Sequence, residues 1–168
     1  MQISMYSASV PVFVQFLTSL SAILKKAADH CAAKKIDPSV LVNARLTPDM
    51  FALARQVQIA TDHAKGSVAR LAGVEVPSFA DTEATFAELQ ARIAKTLDYL
   101  KGFKPAQIDG SDDKDIVLEM RTTKLEFKGA DYLTRFALPN FFFHTATAYD
   151  ILRHAGVEVG KRDFMGGK

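Results

Sequence analysis

Leu138-Pro-Asn-Phe-Phe-Phe-His-Thr-Ala-Thr-Ala-Tyr-Asp-Ile-Leu-Arg-His-Ala-Gly156 decides how the rest of the chain is read. At helical spacing, Asn140, His144, Thr147, Ile151 and His154 share one face, and Phe141, Thr145, Ala148, Leu152 and Ala155 share the adjoining one. A helix this broadly apolar has to be enclosed by other helices. Pro139 either starts or kinks it, and Gly156 is placed to end it. The run Phe141 to Phe143 points around most of the helix, which predicts burial on more than one side and a subunit interface.

Working outward, three more stretches carry the helical period. The first begins at Ser9 or Val10, with Ser9 as N-cap and Pro11 in the first turn, and runs through Phe13, Phe16, Leu17, Leu20, Ile23, Leu24, Ala27 and Cys31 to a stop at Asp37-Pro38. Residues 38–46 read as a linker with a turn or two of helix. Thr47-Pro48-Asp49 opens the second helix; Met50, Leu53, Ala54, Val57, Thr61, Ala64, Val68 and Leu71 form its stripe, and Gly73 ends it. Gln58 and His63 lie on the two flanks of that stripe. The third starts at Asp81 or Thr82 and carries Phe86, Leu89, Ile93, Leu97 and Leu100.

After a polar loop over 102–114 the period changes from helical to alternating. Ile116, Leu118 and Met120 alternate with Val117, Glu119 and Arg121, then Leu125 and Phe127 alternate with charged residues. This predicts a hairpin, too small to stand alone, that lies against the helices or a second subunit. Gly129 breaks it, and a short helix follows over 131–138. The expected fold is all-α: an antiparallel four-helix bundle with short connections and a small β-hairpin inserted between helices three and four, as a single domain over 1–168.

Composition agrees with one core: 168 residues, 48% hydrophobic, mean hydropathy +0.03. The 21 basic and 19 acidic residues are interspersed, so no clustered basic face for nucleic acid is expected. Cys31 has no partner for an internal disulfide and reads as a small buried hydrophobe. The first residues lack the charge and apolar pattern of a leader, and no apolar run approaches the ~18 residues of a membrane span, so a cytoplasmic protein without a membrane partner is expected.

Asn140 and His144, four apart, emerge side by side into the bundle. Two readings stay open: part of a polar or metal-binding pocket, or a core histidine satisfied by a neighbouring carbonyl or side chain. Gln58 sits where an amide would line a pocket, and His63 occupies the polar flank. His30 is expected to be exposed, and His154 to complement a helix C-terminus. There is no Gly-rich phosphate loop, Cys-x-x-Cys or His-Glu-x-x-His, and Asp112, Asp113 and Asp115 lack the spacing of a calcium loop.

Ser4-Met-Tyr-x-Ala-Ser-Val-Pro11, Arg55-Gln-Val-Gln58, Leu138-Pro-Asn-Phe141 with His144, Ala148-Tyr-Asp-Ile-Leu-Arg-His154 and Gly160-Lys-Arg-Asp-Phe164 together resemble a bacterial family of unknown function numbered nineteen ninety-three, grouped with the DinB/YfiT-like metalloenzymes. The resemblance covers nearly the whole chain. It implies a DinB-type bundle, often dimeric, in a superfamily that binds a divalent metal through one histidine on helix two and a His-x-x-x-His pair on helix four. Relatives in that superfamily include thiol-dependent S-transferases and maleylpyruvate isomerase. In the superfamily the second histidine of the pair precedes the closing Leu-Arg by eight residues, which places it on His144. The first then falls on Asn140, and the helix-two position on Gln58 or, less well aligned, His63.

What the resemblance implies is therefore a DinB-like transferase or isomerase acting on a small molecule. Its catalytic residue would be His144, its substrate-binding residues Gln58, Asn140 and Tyr149, and its degenerate metal set His144, Asn140, Gln58 and His63. Nickel or zinc would be held weakly or not at all. The alternative is a non-catalytic small-molecule-binding or structural bundle that has lost the metal. A homodimer is expected in either case.

Overall fold

The computed structural model describes residues 3–119 and 122–167. The elements are α1 (Val10–Lys34), α2 (Pro38–Val42), α3 (Leu53–Ala72), α4 (Phe86–Lys101), α5 (Pro105–Ile108), β1 (Asp115–Glu119), β2 (Lys124–Lys128), α6 (Gly129–Asp131), a π-helical turn over Tyr132–Ala137, α7 (Leu138–His154) and α8 (Lys161–Met165). Four long helices, α1, α3, α4 and α7, make the bundle, and the antiparallel β1–β2 hairpin comes between α4 and α7.

Among the long helices, both α1 and α3 pack mainly on α4 and α7, so α1 and α3 sit diagonally across the core, and α8 packs on α1 as well. Of the consecutive long helices α3 and α4 are neighbours, whereas α1 and α3, and α4 and α7, lie across the diagonals. The connections that span those diagonals are long rather than short: 35–52 carries α2, and 102–137 carries α5, the hairpin and the π turn. Phe13, Leu17, Leu24, Leu53, Val57, Leu89, Ile93, Phe141 and Leu152 are fully buried between the four helices. Phe13 meets Phe141 edge-on at 4.8 Å, joining α1 to α7.

Helix starts depart from the sequence reading in three places. The Ser9 hydroxyl does not cap α1; it donates to the Met5 carbonyl at 2.6 Å, which stabilises the turn that precedes the helix. Thr47-Pro48-Asp49 forms a separate turn, and α3 begins only at Leu53, whose amide donates to the Ala44 carbonyl. Helix α4 starts at Phe86 instead of Asp81 or Thr82. Thr85 and Glu88 form a reciprocal capping box there, while Asp81 is drawn off to arginines on α3 and α4.

Gly73 does end α3, at φ 75°, a left-handed conformation that favours glycine. Gly129 is required by close approach, since a Cβ there would lie 1.9 Å from the Ser111 carbonyl oxygen. In the hairpin Ile116 and Leu118 face inward; Met120 and Arg121 lie outside the described residues. Pro139 sits in the first turn of α7, directly after the π turn. Because proline has no N–H and its ring crowds the preceding turn, the wider π geometry lets the helix run through without a break.

Two further expectations, on α1 and on His30, are corrected. Helix α1 is, by length and composition, long and apolar enough to cross a membrane, although Phe13, Leu17, Leu20, Ile23, Leu24 and Ala27 face the core. The phenylalanine run is buried on more than one side, with Phe141 in the core and Phe142 edge-on against Phe16, while Phe143 is 56% exposed. His30 is half-buried and not exposed.

Candidate functional site

The site grows from a repeat of seven along α3. Gln56, His63 and Arg70 are two helical turns apart in succession, so their side chains emerge along one stripe. That stripe faces α7 and the π turn, which contribute His144, Asn140, Tyr132 and Phe136.

His144 is buried, and its Nδ1 lies 2.7 Å from Gln56 Oε1. Which partner donates follows from the other end of the amide. Gln56 Nε2 donates to the Phe51 carbonyl at 3.1 Å, which leaves Oε1 as an acceptor and requires the imidazole to carry its proton on Nδ1. The Nε2 atom then holds a free lone pair, and no described residue hydrogen-bonds to it. Burial, with the Arg55 charge in second place, holds the His144 pKa below the ordinary histidine value, so the ring is neutral near pH 7.

His63 stacks on His144 with ring centroids 5.9 Å apart and planes 15° from parallel. Burial pushes its pKa down to about 4, assisted by His144 and Arg70 and opposed by Asp62. On its far flank the His63 ring meets Phe136 at 5.9 Å, and Phe136 in turn stacks on Tyr132. Beside His63 opens a cavity of about 320 Å³ whose wall includes Arg55, Ile59, Arg70, Leu118, Tyr132 and Phe136. The π turn is what brings both Tyr132 and Phe136 to this wall. His144 does not line the cavity itself; it adjoins it through His63.

The sequence candidates separate into two groups. The structure brings His63 and His144 together. Asn140 lies one turn before His144, and its amide nitrogen donates to the Phe136 carbonyl at 2.7 Å. Gln58 is not joined to them: its oxygen accepts from Arg55 and its nitrogen donates to Glu83 Oε2 at 3.0 Å. Tyr149 packs against Phe164 of α8, with ring centroids 5.8 Å apart. Of the two candidates for the helix-two position, it is therefore His63 that faces α7.

The Gln58 contacts belong to a separate polar network centred on Arg92, which is 3% exposed. Arg92 donates to Thr61 Oγ1 at 2.7 Å, the Ala80 carbonyl at 2.9 Å, Glu83 at 3.1 Å and Asp62 at 2.8 Å, and it pairs with Asp81 at 3.1 Å. Arg55 also pairs with Asp81. This network fastens the 74–85 connection to α3 and α4, so Gln58 serves the scaffold of the site.

Sequence reading passed over Gln56, Arg70, Tyr132 and Phe136. The seven-residue spacing of Gln56, His63 and Arg70 was a usable signal. The aromatic pair was not legible, because an α-helical wheel misplaces residues that lie in a π turn.

A tightly held nickel or zinc ion takes at least three imidazole, thiolate or carboxylate donors. Among the described residues no group of three or more such side chains converges. The stacked pair supplies two imidazoles, and the Asn140 amide, tied to Phe136 through its nitrogen, can add only a weak carbonyl-type donor. This donor set does not fit tight binding of either metal.

Residues 5–165 match the profile of a domain of unknown function, DUF1993. Among solved structures, the chain is similar to the crystal structure of a DinB family member protein from Shewanella denitrificans, at 43% sequence identity and a TM-score of 0.87, over 97% of this chain and 92% of that one. A search of curated proteins finds no match.

Proposed function

This chain belongs to the DUF1993 family and is DinB-like in sequence and fold, and from that premise we propose that it binds a small molecule in the cavity beside His63 and acts on it by acid–base chemistry, as a transferase or isomerase, with His144 as the base. The observation that carries the reading is the relay from the Phe51 carbonyl through Gln56 to His144 Nδ1. A histidine needed only for packing does not require its tautomer to be set. One whose Nε2 must stay unprotonated does, and an oriented amide on Nδ1 is a means of achieving it.

The proton that Nε2 accepts would come from a thiol or from a carbon beside a carbonyl, the two acidic groups that its superfamily resemblance suggests. His63, held neutral against His144, would line the ligand, whose reacting group would reach past the edge of that ring to His144 Nε2. The reading uses no metal, and two imidazoles allow at most loose capture of a divalent cation. Action in the cytoplasm as a homodimer is part of the proposal; the exposed Phe143 on α7 supports the dimer.

A ligand-observed NMR screen of small metabolites against wild-type protein and the variants His63→Gln and His144→Gln tests it. Hits should weaken in both variants, and at least one should exchange a proton with D2O in a reaction lost in H144Q. If every hit binds the variants and the wild type alike, the site lies elsewhere.

A second reading is favoured by one observation. The use of the Asn140 nitrogen on Phe136 removes the third position of the superfamily's metal set, as expected of a bundle that keeps the pocket for binding alone. Ligand binding that depends on His63 and His144, without any proton exchange, would support this second reading over the first.

A further inference from the structure

We propose that the cavity takes the carboxylate of a small acid with an apolar or aromatic body, and that Arg70 is the residue that anchors the anion. The inference rests on the reading that this cavity is the ligand site, and it adds the substrate class.

The argument is one of charge accounting around the cavity. Four charged side chains of its wall are described: Arg55, Asp62, Arg70 and Glu119. Arg55 is paired with Asp81 and also donates to Gln58. Asp62 is paired with Arg92 at 2.8 Å and with Lys65 at 3.0 Å. Glu119 is exposed on β1, at the rim. Arg70 is the one cation of the wall with no carboxylate partner among the described residues.

Arg70 is nevertheless held in place. Its guanidinium donates to the Tyr132 hydroxyl oxygen at 3.3 Å. Tyr132 lies 3.4 Å from Ser67 Oγ, and Ser67 Oγ donates to the His63 carbonyl at 2.5 Å, which leaves the tyrosine hydrogen for Ser67. The resulting chain of donors, Arg70 to Tyr132 to Ser67 to the backbone, is consistent in direction from end to end. It uses only one of five guanidinium N–H groups, so an edge remains for a bidentate planar acceptor.

Gly66 supplies a second, independent observation. It lies inside α3, where glycine is worth roughly 1 kcal/mol less than alanine. A Cβ at that position would lie 2.6 Å from Arg70 Nη1, whereas its next contact, with Val76, is an ordinary 3.7 Å. The missing side chain thus makes the room in which the guanidinium lies. The rest of the wall, Ile59, Leu118, Tyr132 and Phe136, is apolar or aromatic, and about 320 Å³ suits a ligand of one ring or a short branched chain.

Benzoate, with uncharged benzamide as its isostere, is the probe, applied to the full chain by calorimetry and by NMR of the histidine rings. Wild type should bind benzoate at least tenfold more tightly than benzamide, with the His63 signals shifted and its titration moved upward as the carboxylate offsets Arg70. Arg70→Gln should lose at least tenfold for benzoate and leave benzamide unchanged. Gly66→Ala should raise the melting temperature and still weaken benzoate, which separates the anchor from any loss of fold. Equal binding of the two probes, with His63 signals shifted by both, would overturn the anion assignment and leave the cavity as the site. If neither probe shifts His63, the cavity reading falls and the anion assignment falls with it.

Discussion

Gln56 and His144, from helices far apart in sequence, meet at 2.7 Å between Oε1 and Nδ1, and the glutamine is itself oriented by the Phe51 carbonyl. A buried amide held at both ends behaves as a fixed dipole, so the protonation of the histidine becomes a property of the fold.

Replacing Gln56 separates the electrostatic from the structural part of this contact. In Gln56→Leu the buried Nδ1–H loses its acceptor, and unfolding free energy should fall by about 1–3 kcal/mol. In Gln56→Glu the carboxylate favours the imidazolium, and the His144 pKa should rise by roughly 1–3 units. Urea unfolding reads the first and NMR titration of the ring carbons the second. An unmoved titration in Q56E would remove the orienting role.

His63 sets a pH dependence of stability. Its folded pKa is depressed to about 4 from an ordinary histidine value of 6.5. Between those values the unfolded chain binds a proton that the folded chain does not, so stability falls as pH drops from 6.5 to 4 and is level above that window. The loss from this group is at most about 3 kcal/mol. Urea midpoints measured across the window should show the slope in wild type and a shallower one in His63→Gln.

Arg92→Met should destabilise the protein by roughly 3 kcal/mol, since it strands Asp62, Asp81 and Glu83 without their shared cation. The partial exposure of those carboxylates keeps the figure from being larger. The loss should be local first, with limited proteolysis cutting within 74–85 before the helices. Uniform cleavage throughout the chain would contradict the fastening role.

Asn140→His would place a third imidazole one turn before His144, on the helix against which His63 stacks. Cobalt or zinc titration should show binding at least tenfold tighter than in wild type, at some cost in stability from the lost bond to the Phe136 carbonyl. Wild-type protein purified without a histidine tag should carry less than one metal per chain. A full equivalent of zinc in the wild type would show that the donor set has been misjudged.

Much of the fold was legible because helical periodicity reports on burial directly. The stripes of Phe13, Leu17 and Leu24, of Leu53, Val57 and Ala64, and of Leu89 and Ile93 all face the core, and the alternation at Ile116 and Leu118 is a strand. Helix starts were less legible. Asp81 and Thr47 are good capping residues, yet Asp81 is held by Arg55 and Arg92, and the Thr47 hydroxyl bonds Asp49. Local propensity loses where a distant buried cation competes for the same carboxylate.

For the site, sequence alone determined that His144 and Asn140 lie on the inner face of the last long helix, because a spacing of four is a matter of helical geometry; the spacing of seven that aligns Gln56, His63 and Arg70 was legible on the same ground but went unread. Only the tertiary structure decided that His63 and not Gln58 meets His144, since that depends on how α3 is rotated against α7. That rotation follows from the diagonal placement of α1 and α3, from the Arg92 network that draws Gln58 away, and from a π turn that brings Tyr132 and Phe136 against His63. Each of these couples residues distant in the chain, and no periodicity within a single helix records them.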